Sequence, residues 1–173
     1  MDANSPTWPR ADAIARLNAA LAGASVPCEV MDCDPSLADT AVFCEHYGVS
    51  PAHSANTIVV RTKTGELRYA ACLVLATCRL DVNKVVRKRL EARKVSFASA
   101  EETREITGME IGGVTPLGLP GDLPLWVDAR IMALDYVILG GGGRDSKIRT
   151  DPAIFTGLPN CEIVEDLARE IEG

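Results

Sequence analysis

Two apolar runs on either side of a short glycine turn constrain the fold of this chain more than any other feature. The first run is NTIVVRT at 56–62, the second is LRYAACLVLAT at 67–77, and KTGE connects them. Apolar and β-branched residues favour strands, and a short connection that contains glycine is typical of a hairpin. We therefore expect the two runs to pair as central strands of a sheet.

Helical patterns occur on both sides of this hairpin. Apolar residues recur there at helical spacing, and residues that favour helix caps stand at the ends. Short apolar segments such as CEVMDC at 28–33 supply further strands. The predicted fold class is therefore α/β, with a mixed, mainly antiparallel central sheet flanked by helices. The expected helices are 11–24, 36–48 with Ser36 as N-cap and Gly48 at its end, 81–93, a short helix with a capping box at Ser99, and 165–172.

Composition places the chain among globular proteins. It has 173 residues, of which 47% are hydrophobic and 24% are charged. No apolar run approaches the roughly 20 residues needed to cross a bilayer, and the first residues lack the pattern of a secretion signal. We predict no membrane association and a single domain over residues 1–173, with its core at about 35–165. The expected location is the cytoplasm.

The six cysteines predict neither a metal centre nor a redox site. They lie at positions 28, 33, 44, 72, 78 and 161, without a CxxC pair or a histidine at zinc-finger spacing. Isolated cysteines in a chain with a full apolar core mostly behave as small hydrophobic residues. We expect free thiols, no metal and no cofactor.

The net charge of −6 hides one basic segment. Residues 81–94 contain six basic and two acidic side chains, so this segment carries +4 and the rest of the chain carries −10. A local positive potential attracts a polyanion even when the protein as a whole is acidic. The basic side of this segment is interpreted either as a solvated helix face or as a contact for phosphates.

Two glycine-rich loops are candidates for ligand contact. GGVTPLGLP at 112–120 and GGGG at 140–143 would let backbone N–H groups approach a ligand closely. Neither loop has the residue order of a phosphate loop or of a dinucleotide fingerprint. From the residues alone, both stay open as ligand loops or as plain turns between strands.

The order of motifs along the chain resembles the YbaK and prolyl-tRNA synthetase insertion-domain family. The similarity runs from about residue 35 to about residue 165, and its most specific part is TG-x-x-x-GG-x-T-P-L-G at 107–118. Within this motif, Gly113 to Pro116 fit the GxxP loop of the family. The resemblance implies a YbaK-like fold. Other matching motifs are NTIVV at 56–60, LD-x-x-K at 80–84, ARKVSFAS at 92–99, LWVDA at 125–129 and the glycines at 140–143.

The resemblance also implies an activity, that of an aminoacyl-tRNA deacylase that hydrolyses the ester of a mischarged tRNA in trans. It implies a catalytic site formed by Asn56 and by the backbone N–H groups of Gly112 and Gly113, which would stabilise an oxyanion. Asn56 stands where the best-known members have a lysine, and it offers a hydrogen bond without the charge. The implied substrate-binding residues are Val114, Thr115, Pro116, Asp128, Gly141, Gly142 and His53.

Two of these residues have a second interpretation. His53 lies three positions before Asn56 and is a candidate to supply the missing charge when it is protonated. Asp128 matches the acidic residue that ends a strand in the family, but it is equally well interpreted as a cap for the adjacent loop.

The implied partner is the acceptor end of an aminoacyl-tRNA. Lys84, Arg87 and Lys88 of the basic segment are the candidate contacts to its phosphates. An aminoacyl-tRNA synthetase is an open second partner, and the oligomeric state is not indicated. Because the lysine of the family is absent, a second hypothesis stays open: a non-catalytic module of the same fold that binds a tRNA end, a nucleotide or a protein partner.

Overall fold

The central hairpin is confirmed in the computed structural model, which describes residues 8–171. Strand β2 (Ala55–Thr62) pairs antiparallel with β3 (Tyr69–Leu75), and Ile58 lies opposite Cys72. Strand β3 has a neighbouring strand on both sides, and its side chains are buried from its second residue onward. Burial on both faces explains why its sequence is an almost continuous apolar run.

The strands form three sheets that confirm a mixed α/β fold. The five-stranded sheet has the order β5-β2-β3-β6-β9; it is antiparallel from β5 to β3 and parallel from β3 to β9. A three-stranded antiparallel sheet has the order β1-β8-β7, and β4 pairs with β10. The remaining strands are β1 (Cys28–Asp32), β4 (Cys78–Leu80), β5 (Val95–Phe97), β6 (Leu125–Asp128), β7 (Val137–Gly140), β8 (Ser146–Thr150), β9 (Cys161–Val164) and β10 (Ala168–Glu170).

Helices cover the sheets and connect the strands. The first helix and the capping-box helix lie close to their expected positions, and the latter has both hydrogen bonds of the box, between Ser99 and Glu102. The α-helices are α1 (Ala11–Ala22), α2 (Thr40–Tyr47), α3 (Arg87–Arg89) and α4 (Ala100–Thr107). Shorter 3-10 turns are Pro35–Leu37, Pro51–His53, Ala129–Ala133 and Pro152–Gly157, and a π-helical turn spans Val82–Val86.

Two predicted helices have other bounds in the structure. Ser36 does not cap α2, because the Asp34 side chain accepts hydrogen bonds from the Ser36 backbone N–H and hydroxyl and closes a separate 3-10 turn. Helix α2 begins only at Thr40 and ends, as predicted, at Gly48. The basic segment is helical over residues 82–89 rather than 81–93.

The predicted C-terminal helix is wrong for the residues that the structure describes. Residues 168–170 form β10, which pairs with β4, and Leu167 and Ala168 are fully buried. The Asp81 N–H donates to the Leu167 carbonyl oxygen, so pairing with a distant strand replaces local helical bonds. Residue 172, the last of the predicted helix, lies outside the described residues.

The core consists of two apolar clusters. The larger one surrounds β3 and β6, and the smaller one lies under α2, around Phe43, Cys44 and Ile138. All six cysteines are free and at least partly buried, as expected. Over residues 8–171, no helix is both long and apolar enough to span a bilayer.

The carboxylate of Glu102 joins helix α4 to the central hairpin. It accepts hydrogen bonds from the Ser99 N–H, from the Tyr69 hydroxyl at 2.7 Å and from the Arg61 guanidinium. These donors, the Ser99 amide first, lower the pKa of Glu102 to about 2. An unfolded glutamate has a pKa of about 4.3, so folding is favoured by deprotonation of this group.

We therefore expect Glu102→Gln to lower the melting temperature at pH 7, and this deficit to shrink as the pH falls from about 5 to about 2. The sign follows from the lowered pKa, because the stabilisation is complete above the unfolded value and is lost toward the folded value. Thermal unfolding across this pH range measures it, with Glu101→Gln at the exposed neighbouring position as control. A deficit that stays constant with pH would contradict the assignment.

Candidate active site

A cavity of about 290 Å³ lies where β2, the 112–114 loop and the three-stranded sheet meet. Chain segments that are distant in sequence form its walls, which mix apolar side chains with amide, hydroxyl, ammonium and carboxylate groups. The cavity is therefore a product of tertiary packing. Its lining residues are Ala38–Thr40, Ala55–Val59, Phe97, Ala98, Thr103, Ile111, Gly112, Val114, Gly140 and Lys147.

Lys147 places a buried ammonium group at the cavity wall. Only 6% of the residue is exposed, and its Nζ donates to the carbonyl oxygens of Ala38 at 2.7 Å and Gly112 at 3.4 Å. Within residues 8–171 no carboxylate lies within 4 Å of this ammonium, and the Phe43 ring centroid is 5.2 Å away. Burial lowers the pKa of Lys147. One of three N–H donors remains for a ligand.

Sequence reasoning missed Lys147 because an isolated lysine is normally exposed. Its position in β8, beside buried Ile148 and four residues after the last glycine of the second loop, was the available signal. The strand pattern alone does not show that its side chain is enclosed.

Asn56, the predicted site residue in β2, does line the cavity. Its side-chain oxygen accepts a hydrogen bond from the Thr40 hydroxyl, which connects β2 with the first turn of α2. Among the described residues its amide N–H groups have no acceptor. The hydroxyl of the next residue, Thr57, is buried and also has no partner in this part of the chain. Asn56 can therefore donate to a ligand.

The 112–114 loop offers backbone donors, but the structure changes which ones. The Gly113 N–H donates to the Glu110 carbonyl oxygen at 2.9 Å, and Gly113 does not line the cavity. Gly112 and Val114 do line it, and their N–H groups have no acceptor within residues 8–171. Within residues 8–171, the backbone N–H groups that this loop leaves without an acceptor at the cavity are therefore those of Gly112 and Val114, rather than those of the expected pair Gly112 and Gly113.

Glycine is required at position 112 by the local geometry. Its φ angle is +89°, in a region that other residues rarely adopt. A side chain there would also overlap the guanidinium of Arg144. This guanidinium donates to the Asp39 carboxylate at 3.2 Å and to the Ile111 carbonyl oxygen at 3.1 Å, so it connects the loop with the start of α2.

The other site residues expected in the two glycine loops do not line the cavity. Thr115 and Pro116 are buried outside its lining, and the Thr115 hydroxyl accepts from the Leu117 N–H. Gly141 and Gly142 also lie outside the lining, and the Gly142 N–H donates to the Gly113 carbonyl oxygen at 2.6 Å. The second loop therefore supports the first, while Gly140 contributes to the cavity wall.

Asp128 and His53 lie outside the lining of this cavity. Asp128 is 1% exposed and accepts hydrogen bonds from the backbone N–H groups of Arg130 and Ala168. These hydrogen bonds agree with the interpretation of Asp128 as a cap for the adjacent loop. His53 Nε2 lies 3.1 Å from the Asp135 carboxylate, and its ring stacks on Tyr136. His53 is therefore not positioned to supply a charge beside Asn56.

The three basic residues expected to contact tRNA do not share one surface feature. Lys84 lines a groove next to β5, whereas Arg87 and Lys88 do not. Arg87 Nε donates to the Asn83 carbonyl oxygen at 2.9 Å. Their role in binding therefore stays a prediction.

The chain is similar in sequence to proteins of two Bacillus species. It is 31% identical over 112 residues to a proline-tRNA ligase of Bacillus licheniformis; the match covers 64% of this chain and only 19% of the ligase. It is 24% identical over 144 residues to the uncharacterized protein YwhH of Bacillus subtilis, covering 83% of this chain and 89% of that protein.

A solved structure shows the same fold. It belongs to a candidate trans-editing enzyme for prolyl-tRNA synthetase, with a TM-score of 0.74, 23% identity, and coverage of 92% of this chain and 98% of the other. The α/β fold described above is therefore the YbaK-like editing fold. The model of the aminoacyl-tRNA editing domain matches residues 34–156, and the chain belongs to this family.

Proposed function

We propose that this protein is an aminoacyl-tRNA deacylase that removes a wrongly attached amino acid from tRNA in trans. The observation that carries the proposal is the cavity, which combines a buried ammonium with unpaired backbone N–H groups. Donors of this kind, fixed in a site with little water, stabilise negative charge that develops on a carbonyl oxygen. Membership of the editing family makes an aminoacyl ester the substrate that such a site would take.

In the proposed reaction, the oxygen of a water molecule adds to the ester carbonyl carbon. The carbonyl oxygen becomes an oxyanion that accepts hydrogen bonds from the Gly112 and Val114 amides and from Lys147. The bond to the ribose oxygen then breaks, and this oxygen takes up the proton that the attacking water releases, which yields free amino acid and tRNA. Asn56, which lines the cavity, donates a hydrogen bond to the ribose.

The dimensions of the cavity favour a small aminoacyl group. Its volume of about 290 Å³ is at the lower end for ligand cavities, which span roughly 300–1,000 Å³. Ile58, Val59 and Val114 make part of the wall apolar. Small side chains are those that a synthetase distinguishes poorly, by about 1–3 kcal/mol, so their esters most need hydrolysis by a second protein.

We further propose that the substrate is a tRNA charged by a synthetase, with prolyl-tRNA synthetase as the first candidate because of the ligase and structure matches. The expected place of action is the cytoplasm, where charged tRNA meets the ribosome. We also propose that residues 1–173 form a single editing domain.

The proposal is tested by deacylation of a panel of mischarged tRNAs, including alanyl-, cysteinyl- and seryl-tRNA for proline. We expect the wild type to hydrolyse one small aminoacyl ester faster than the spontaneous rate. Asn56→Ala should lower kcat/KM by about 3- to 10-fold, as expected for one lost hydrogen bond.

Asn18→Ala is the matched control, because Asn18 is exposed on α1, outside the cavity lining. It should leave turnover unchanged. Binding of charged tRNA without turnover would overturn the deacylase and support the non-catalytic module. Equal losses in the two variants would remove Asn56 from the site.

A further inference from the structure

Phe97 lies between the candidate active site and a second, larger depression. Phe97 is the last residue of β5, the edge strand that pairs with β2, and it is 57% exposed. It lines both the 290 Å³ cavity and a groove of about 670 Å³, which we call the β5 groove. The wall of this groove is formed by residues 79–84, residues 95–97 and Arg169. A ligand that leaves the cavity past Phe97 therefore enters the β5 groove.

The β5 groove carries positive charge that is not neutralised within the protein. Arg169 is paired with Asp81 at 3.0 Å, so these two charges balance. Arg79 and Lys84 are exposed, and within residues 8–171 neither has a carboxylate within 4 Å. On a chain with a net charge of −6, two unpaired cations beside an aromatic ring favour a polyanion.

The pairing of an exposed ring with nearby cations indicates unpaired nucleotides rather than a duplex. Bases in a duplex are stacked on each other, so their faces are not available to a protein side chain. Single strands are bound by aromatic rings that stack on the bases and by cations along the backbone.

We propose that the β5 groove binds the single-stranded 3′ end of the tRNA, with a base stacked on Phe97 and phosphates contacted by Arg79 and Lys84. This inference rests on the proposed function, because the esterified terminal ribose must then occupy the cavity. It goes beyond it by giving the polynucleotide a path that neither Arg87 nor Lys88 lines.

Kinetics with two substrates test the path. One substrate is the aminoacyl-tRNA and the other is the same amino acid esterified to adenosine, which lacks the nucleotides that would lie in the groove. We expect Phe97→Ala and the double variant Arg79→Gln/Lys84→Gln to lower kcat/KM for aminoacyl-tRNA at least about fivefold more than for aminoacyl-adenosine. The double variant removes two phosphate contacts. It should therefore also make the slope of log kcat/KM against the logarithm of the salt concentration less steep by about 1.4.

Two control variants sharpen this experiment. Ile163→Ala removes an exposed apolar side chain from β9, at the opposite edge of the same sheet, and should match the wild type. Arg87→Gln/Lys88→Gln removes two charges outside the groove and should cause a smaller loss than Arg79→Gln/Lys84→Gln. Melting temperatures of all variants establish that each is folded.

Three results would overturn the inference. Equal losses for the two substrates would make Phe97 a wall of the cavity only. A larger loss in the Arg87 and Lys88 variant would move the polynucleotide to the helical segment. If the wild type hydrolyses neither substrate, the proposed function fails. Binding of a single strand in the β5 groove is then tested separately, by measuring the affinity of the protein for a labelled oligonucleotide ending in CCA. Equal affinity of wild type and Phe97→Ala for that probe would refute the groove as well.

Discussion

Replacing Lys147 with methionine is expected to lower the rate of ester hydrolysis by about 10²–10³-fold, the usual effect of removing one oxyanion donor. The reason is that Lys147 brings a buried ammonium to the cavity wall, with one N–H left for the substrate. A charge held away from water acts on an oxyanion much more strongly than an exposed one. Single-turnover hydrolysis of the preferred aminoacyl-tRNA measures the effect, which should appear in kcat rather than in KM.

The variant is expected to stay folded. Methionine fills a similar volume and removes a desolvated charge, which offsets the hydrogen bonds lost at the Ala38 and Gly112 carbonyl oxygens. Lys63→Met, at an exposed position of the hairpin turn, is the control and should leave the rate unchanged. If Lys147→Met retains wild-type turnover, its ammonium has no part in the reaction.

Gly113→Ala is expected to destabilise the whole protein rather than to act on catalysis alone. A Cβ atom at this position would overlap the backbone carbonyl of Gly143, which is not at the flexible end of a side chain. Forcing extra atoms into a packed contact costs about 1–3 kcal/mol. For a chain of this size we expect the melting temperature to fall by about 2–12 °C.

Gly121→Ala is the matched control, since a Cβ atom there meets no atom within 4 Å. Its melting temperature should stay close to that of the wild type. An unchanged melting temperature for Gly113→Ala would show that the two glycine loops are free to separate.

Features that depend on neighbours in sequence were predictable from the chain alone. The hairpin of β2 and β3, the capping box at Ser99 and the end of α2 at Gly48 each follow from local backbone preferences. The loop motif at 107–118 indicated the editing family, and the match over 34–156 confirms it. The resemblance to that family also implied that Asn56 belongs to the site, and Asn56 does line the cavity.

Other features depended on contacts between distant segments. Residues 168–170 became a strand because β4 was available as a partner, although their local sequence favoured a helix. His53 and Asp128 lie near motif residues in sequence. In the structure, however, His53 contacts Asp135, and Asp128 caps the 3-10 turn after β6. Proximity along the chain therefore did not predict proximity in space.

The sequence by itself determined the family, the central strands and the loop that offers its amides to the cavity. Only the tertiary structure decided which charged groups reach that cavity. Lys147 is enclosed because Ala38, Phe43 and Gly112, from three other segments, surround it, and Phe97 becomes a link between two depressions because β5 is an edge strand. Burial and electrostatic environment are set by such distant neighbours, and no local pattern of residues encodes them.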